Sequence, residues 1–234
     1  MKYFLLLLIS SVFFISCATV SGNGNVRDEN RDIADIREVR TSGSIDVEIR
    51  NGDNYALTVQ DDENLLPYLI TEVNDGVLNV HYKDGYSVMR DHAKVTVTAP
   101  TLEKLASSGS ADITSAGVIK NSNKIEISTS GSGDIKAEVD APSINVNGSG
   151  SGNVTLSGRT KDFDCRMSGS GDVNCGNLKS ENAEVHVSGS SNVHIFASVN
   201  LKVNVTGSGD VYYGGNPTSP EIHITGSGSA KAVQ

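Results

Sequence analysis

A column of carboxylates and amides is the first feature of this sequence that could do chemistry. Asp112, Asp134, Asn153, Asp172, Asn192 and Asp210 each stand three residues after a glycine in a recurring motif, Ser/Thr-Gly-Ser-x-Asp/Asn-Val/Ile. Stacked in space, such a ladder could hold calcium, as the glycine–aspartate corners of the calcium-binding β-roll do. That roll repeats every nine residues and sets a residue between its second glycine and the aspartate. Here the step is about nineteen, and Asp134 follows Gly133 directly. Calcium also takes six to eight oxygens, whereas each repeat offers one regular carboxylate. Two carboxylates one strand spacing apart repel by roughly 0.9 kcal/mol in water, and a turn hydrogen bond returns about 1 kcal/mol. The ladder is therefore expected to cap turns through backbone N–H groups, with no metal and no cofactor.

The other candidates are weaker. Of the histidines His81, His92, His186, His194 and His223, only His186 and His223 share a repeat position. They lie two repeats apart, about 10 Å, too far to share a zinc ion, so solvated surface positions are expected. Gly148-Ser-Gly-Ser-Gly152 resembles a nucleophile motif but has no strand-to-helix elbow around it. Polysaccharide lyases built on β-helices group carboxylates, Arg or Lys on one strand face, and the linear sequence displays no such group. Cys165 and Cys175 fall at inward places of one repeat. A disulfide needs Cα atoms within about 7 Å, while facing sheets lie about 10 Å apart, so two free buried thiols are expected. No catalytic residue is assigned.

The elements that must position these residues follow from the repeat. Its copies begin at Ser108, Ser130, Ser149, Ser168, Ser188 and Thr206, with a degenerate copy at Thr225, and the first glycines from Gly109 to Gly226 are spaced 22, 19, 19, 20, 18 and 19. Four residues before each glycine stand Leu105, Ile127, Val146, Cys165, Val185, Val203 and Ile222. Four residues after it stand Ile113, Ile135, Val154, Val173, Val193, Val211 and Ala230. Apolar and polar residues alternate within a copy, the signature of strands with one buried face. Equivalent residues are apolar in every copy, so copies must stack, as in one coil after another of a parallel β-helix. Glycine then makes the corner between two strands of one coil.

Ahead of the regular coils, Ser21-Gly-Asn-Gly-Asn-Val26 and Ser42-Gly-Ser-Ile-Asp-Val47 read as worn copies of the motif. Strands are expected at residues 45–49, 56–60, 69–73, 77–82 and 94–98, with hairpin turns at Asn51-Gly52 and Asp75-Gly76. These strands are expected to form an irregular antiparallel cap over the first coil, whose edge would otherwise be bare. The divisions are residues 1–16, a signal peptide; 17–32, a lipidated N-terminus and polar tether; and 33–234, one solenoid domain. Within it, residues 33–100 are irregular and 101–234 regular.

Lys2 followed by an apolar run ending at Phe14-Ile15-Ser16-Cys17 is too short for a membrane span and suits a signal peptide. It resembles the bacterial lipobox, so Cys17 is expected to carry the lipid. The formal charge is −9, with no basic cluster, which argues against nucleic acid. Membrane contact is expected through the lipid anchor alone.

The lipobox, the Gly-Asn-Gly-Asn-Val start, Ser42-Gly-Ser-Ile-Asp-Val-Glu-Ile49, Asp62-Glu-Asn-Leu-Leu-Pro67 and the serial Ser-Gly-Ser-Gly-Asp-Val corners occur in that order. Together they resemble the putative auto-transporter adhesin head GIN domain family of Bacteroides-like bacteria. The resemblance implies a right-handed β-helix-like fold and a cell-envelope location, and it brings no catalytic residues. The function expected is a non-catalytic envelope lipoprotein, an adhesin or interaction scaffold with a protein or glycan partner. The alternative is a carbohydrate-binding or carbohydrate-cleaving β-helix protein. Both faces of the outer membrane, periplasmic and cell-surface, fit the sequence.

Overall fold

Alternation in the repeat becomes stacked parallel strands. The computed structural model describes residues 18–233, so Cys17 and the leader lie outside the described residues. Every regular element described is a β-strand, and the strands form a ten-stranded sheet (sheet 1), an eleven-stranded sheet (sheet 2) and a two-stranded ribbon. From Lys104 onward each coil gives one strand to each sheet. The sheet 1 strands end on the repeat glycines, as in Ser143–Gly150 and Asp162–Gly169. The sheet 2 strands leave the corner, as in Val154–Arg159 and Val173–Lys179.

The register is the one the repeat demands. Leu105, Ile127, Val146, Cys165, Val185, Val203 and Ile222 are successive partners along sheet 1. Ile113, Ile135, Val154, Val173, Val193, Val211 and Ala230 run along sheet 2. Apart from the terminal Ile222 and Ala230, all of these are 0% exposed, and burying each stabilises the fold by about 1.5–3 kcal/mol against exposure. The two columns face each other across the interior and are the core of a parallel β-solenoid.

The corner explains its glycines. The carbonyl of Gly109 accepts the N–H of Ser132, and that of Gly131 accepts the N–H of Ser151, so each corner carbonyl points at the next coil. A Cβ on the next glycine would collide with that oxygen; for Gly109 above Gly43 the separation would be 2.6 Å. The same glycines hold φ between 87° and 147° from Gly43 to Gly226, where side chains are disfavoured. The two steps longer than nineteen coincide with bulges, the 22-residue step with the shift between Thr114 and Val118. The 20-residue step fits an extra residue at Cys175-Gly176, where the register shifts opposite Thr155–Ser157.

The cap departs from sequence order. Its strands are β1 (Ala18–Ser21), β2 (Val26–Arg31), β3 (Glu38–Gly43), β4 (Asp46–Asn51), β5 (Ala56–Asp62), β6 (Leu69–Asn74), β7 (Val77–Tyr82), β8 (Tyr86–Met89) and β9 (Lys94–Ala99). The strands β3 and β4 stack directly under the coil of Gly109, with Gly43 beneath Gly109 and Val47 beneath Ile113. The copy at Ser42 is thus a true coil, 66 residues early. Beneath it lies a further parallel coil made of β7 and β9. Antiparallel strands close the end: β6 on β7, β5 on β9, and β2 on β5.

Four expectations are corrected here. The cap is mixed rather than antiparallel throughout. Asp75-Gly76 does turn a hairpin, both residues at positive φ. Asn51-Gly52 does not, because β9 lies between β4 and β5. The copy at Ser21 is no coil corner, since Val26 opens an antiparallel edge strand. Finally, residues 18–31 do not hang free as a tether: β1 pairs with β8 and β2 with β5.

Candidate functional site

The ladder residues come together as the repeat predicts, and their bonding is inter-coil. Asp46 Oδ1 accepts the backbone N–H of Asp112, Asp112 that of Asp134, and Asp134 that of Asn153, at 2.9, 2.8 and 2.7 Å. Asn153, Asp172 and Asn192 continue it to Asp172, Asn192 and Asp210 at 2.9, 3.0 and 3.4 Å. Asp210 ends the series by accepting Ser229 Oγ at 2.7 Å, which holds its carboxyl below the usual range. The donor is thus the same residue one coil later, not a neighbour within the turn. One oxygen of each ladder residue is committed to the fold.

The outer face of sheet 1 supplies what the linear sequence hid. Counting back from each corner glycine, the residues one, three and five places before it point outward. At five places stand Glu126, Asp164, Glu184 and Lys202; at three, Asn147, Arg166, His186 and Asn204. Parallel register sets Asp164 beside Glu184 and Arg166 beside His186. Arg166 Nη2 meets Asp164 Oδ2 at 2.8 Å, while His186 Nε2 and Lys202 Nζ meet Glu184 Oε1 at 2.9 and 3.1 Å. Carboxylates and cations are therefore grouped on one strand face, contrary to the reading from sequence. Following the outward positions down the repeat would have found them, because only the inward positions carry the apolar signal.

Hydrogen bonds from His186 and Lys202 hold Glu184 below the usual carboxylate range, and Lys104 with Lys124 does the same to Glu126. A general acid needs the opposite shift, toward neutrality. A groove of about 730 Å³ runs along this face beside the corners, from Ala106 to Asn204, and one of about 410 Å³ adjoins it around Asp164, Glu184 and Lys202.

The remaining candidates are structural. Cys165 and Cys175 are free and buried. Burial raises the Cys165 thiol well above its ordinary value and Cys175 to about 12, so neither supplies a thiolate. His194 stacks on Tyr212 with ring centroids 4.6 Å apart. In the cap, the Gly-Asn-Gly-Asn start and the Asp-Glu-Asn-Leu-Leu-Pro segment prove to be partners. Asp62 accepts the N–H of Gly24, Asn64 Oδ1 that of Asn23 at 3.0 Å, and Asn25 O that of Glu63 at 2.9 Å. Asp62 Oδ2 also pairs with His92 Nδ1 at 2.8 Å, and its neighbour Asp61 accepts the Tyr82 hydroxyl at 2.7 Å. No group of three metal-ligating side chains occurs among the described residues.

Most of the known structures that this chain resembles carry an adhesin description. The family model "putative auto-transporter adhesin, head GIN domain" matches residues 35–217. A putative adhesin from Bacteroides fragilis superposes with a TM-score of 0.87 at 20% identity, over 92% of this chain and 100% of that one. A putative lipid binding protein from Parabacteroides distasonis has a TM-score of 0.76 at 26% identity, and a putative adhesin from the same species 0.73 at 26%. Each covers 92% of this chain and 100% of its own. No curated protein matches the chain.

Proposed function

We propose, on the premise that this chain belongs to the putative auto-transporter adhesin, head GIN domain, family, that it is a non-catalytic envelope lipoprotein whose solenoid is an adhesive scaffold. The observation that carries this reading is the outer face of sheet 1. It is a regular grid of polar side chains in which hydrogen bonds from His186 and Lys202 hold Glu184, and from Lys104 and Lys124 hold Glu126, below the usual carboxylate range. Such a face offers many hydrogen bonds and no proton donor tuned for catalysis.

Anchoring completes the proposal. Cys17, lipidated in an outer-membrane lipoprotein, immediately precedes β1, which is paired to β8. The lipid would then hold the cap end of the solenoid near the bilayer, with the coils free for contact. The test has two arms. Cells carrying the natural chain should incorporate labelled palmitate into it, and Cys17→Ala should release it into the soluble fraction; a variant that stays with membranes beside an unlabelled natural chain refutes the anchor. Beads coated with the purified chain should be retained on mucin or matrix-glycoprotein films above albumin-coated beads, without releasing products from polysaccharide. Equal retention, or turnover of any polysaccharide, overturns the adhesive, non-catalytic reading.

A further inference from the structure

The two ends of the solenoid differ, and the difference takes the adhesive reading one step further, to a partner; this step rests on that reading. We propose that the free tip of the solenoid pairs with the tip of a second copy of this chain, so that copies anchored on facing surfaces adhere to one another. At the cap end both sheets finish in antiparallel strands. The outermost of sheet 2, β2, carries Arg27, Asp28, Glu29 and Arg31, charges of the kind that keep an edge from pairing. At the far end the sheets finish in the parallel strands Glu221–Gly226 and Ser229–Ala232. Among the described residues no strand lies over these two. Ile224 is 40% exposed, whereas Val205, its partner one coil below, is 1% exposed. Ile222 and Ala230 are likewise only partly buried, above a fully buried Val203 and Val211. The tip therefore has two unpaired edges with the open end of the apolar core between them. With the lipid on Cys17, β1 keeps the cap toward the bilayer, and this tip is what a facing surface meets first.

Geometry selects one arrangement of the two copies. A further parallel coil is disfavoured, because the ladder ends here. Ser229 stands in the place of Asp or Asn, and its hydroxyl turns back to Asp210 Oδ1 at 2.7 Å instead of reaching forward. A two-fold axis normal to the sheets instead extends both sheets at once by antiparallel pairing, inward positions meeting inward positions, in a closed contact. Ile222 and Ala230 face each other across the interior. An axis through both sets Ile222 on Ile222 and Ala230 on Ala230 of the second copy and closes the core. The same axis sets Glu221 opposite His223, twice, and Ser229 opposite Lys231. A shift of one residue toward the corner would set His223 on His223. A shift the other way would set Glu221 on Glu221 and Lys231 on Lys231. Like charges directly opposite destabilise a strand pair, so the outward residues fix the register. Glu221 and His223 already meet within the chain at 3.0 Å, with side chains 60% and 66% exposed. Remaking that contact across the axis chooses the register and adds little affinity. Affinity comes from edge hydrogen bonds and the covered isoleucines, a small contact suited to many copies acting together on a surface.

The experiment follows the purified, unlipidated mature chain by sedimentation velocity over a micromolar to sub-millimolar dilution series. Beads coupled to the same chain through Cys17 are scored for clustering with one another. The natural chain is compared with His223→Glu, Glu221→Lys, the double variant Glu221→Lys/His223→Glu, and Lys136→Gln on the outer face of sheet 2. Melting curves check that all are folded. The proposal expects a concentration-dependent dimer and clustered beads for the natural chain, and each single tip substitution to weaken dimerisation about tenfold or more. The double variant should restore the dimer, an equimolar mixture of the two single variants should form a mixed dimer, and Lys136→Gln should change nothing. The proposal is overturned if the natural chain stays monomeric throughout, if the single tip substitutions leave its dimer intact, if the double variant fails to restore it, or if Lys136→Gln weakens it as much. Bead retention on glycoprotein films by a chain that stays monomeric, and whose beads do not cluster, would remove the second copy as partner and keep the adhesive reading. Loss of retention and clustering together would remove both.

Discussion

In the coils from Gly109 onward, neighbours in space are neighbours in sequence at a distance of one repeat. In the cap, the coil of β7 and β9 lies beneath β3 and β4 although it follows them in the chain. Both regions bury the same kind of column: Leu78 under Val39 continues the sheet 1 core, and Val95 under Val47 continues that of sheet 2. The difference lies in what sets the order. A coil is specified by its corner, whose glycine carbonyl and Asp or Asn side chain both bond the next copy. The cap has one such corner, Gly43 with Asp46, and is held otherwise by unrelated contacts such as those of Asp62 and Asn64. Repetition makes a region modular, and its loss makes each contact particular.

The largest expected effect breaks the regular half. Val173→Asp places a charge in a column that is 0% exposed, and a cost of several kcal/mol should lower the melting temperature by about 10 °C. A melting curve close to that of the natural chain would show that Val173 does not face the interior. Next, glycines compare the two regions directly. Gly150 has φ +114° and a Cβ there would strike the Gly131 carbonyl, while Gly85 in the cap has φ +84° and open space. Gly150→Ala should cost a few kcal/mol and Gly85→Ala about 1 kcal/mol. Equal losses by chemical denaturation would mean that inter-coil contact is not what fixes the corner.

This contrast also sets what could be read from sequence. The columns of Leu105 and Ile113 were legible because the same position is apolar in every copy, and Asp75-Gly76 because a tight turn demands its local conformation. The order of β7 and β9 was not, since no repeated residue marks which strand they meet. At the candidate site the ladder was legible as a turn device, but its true partner is one coil away. The grouping of Arg166 and His186 with Asp164 and Glu184 was missed because outward positions differ from copy to copy, and only the register brings them together.

A smaller effect probes the cap by pH. The His92 hydrogen bond holds Asp62 below its ordinary value of 3.8, and Asp62 in turn holds His92 above its ordinary 6.5. The Asp62 contribution is present above pH 3.8 and is lost as pH falls through the lowered folded value. The His92 contribution is present below pH 6.5 and is lost as pH rises through the raised one. The pair should therefore stabilise the cap most between those limits. Amide protection factors in β1 and β8 should fall on either side while those of the coils hold steady, and His92→Gln should flatten the alkaline arm. A uniform response of cap and coils would contradict this. The smallest effect belongs to the ladder: Asp172→Asn keeps the Oδ1 acceptor for Asn192 and should cost well under 1 kcal/mol. A larger loss in equilibrium unfolding would give that carboxylate a role beyond the turn.

The modular character of the coils is tested most directly by removing one. Deleting residues 131–149 joins Ser130 to Gly150 and takes out one complete coil, leaving every remaining corner intact. An equal deletion of residues 64–82 takes β6 and β7 from the cap. Thermal unfolding followed by circular dichroism should give the coil deletion a single cooperative transition, shifted down but retained, and the cap deletion none. A coil deletion that fails to fold, or a cap deletion that melts as cooperatively, would contradict the nineteen-residue coil as the unit of this structure.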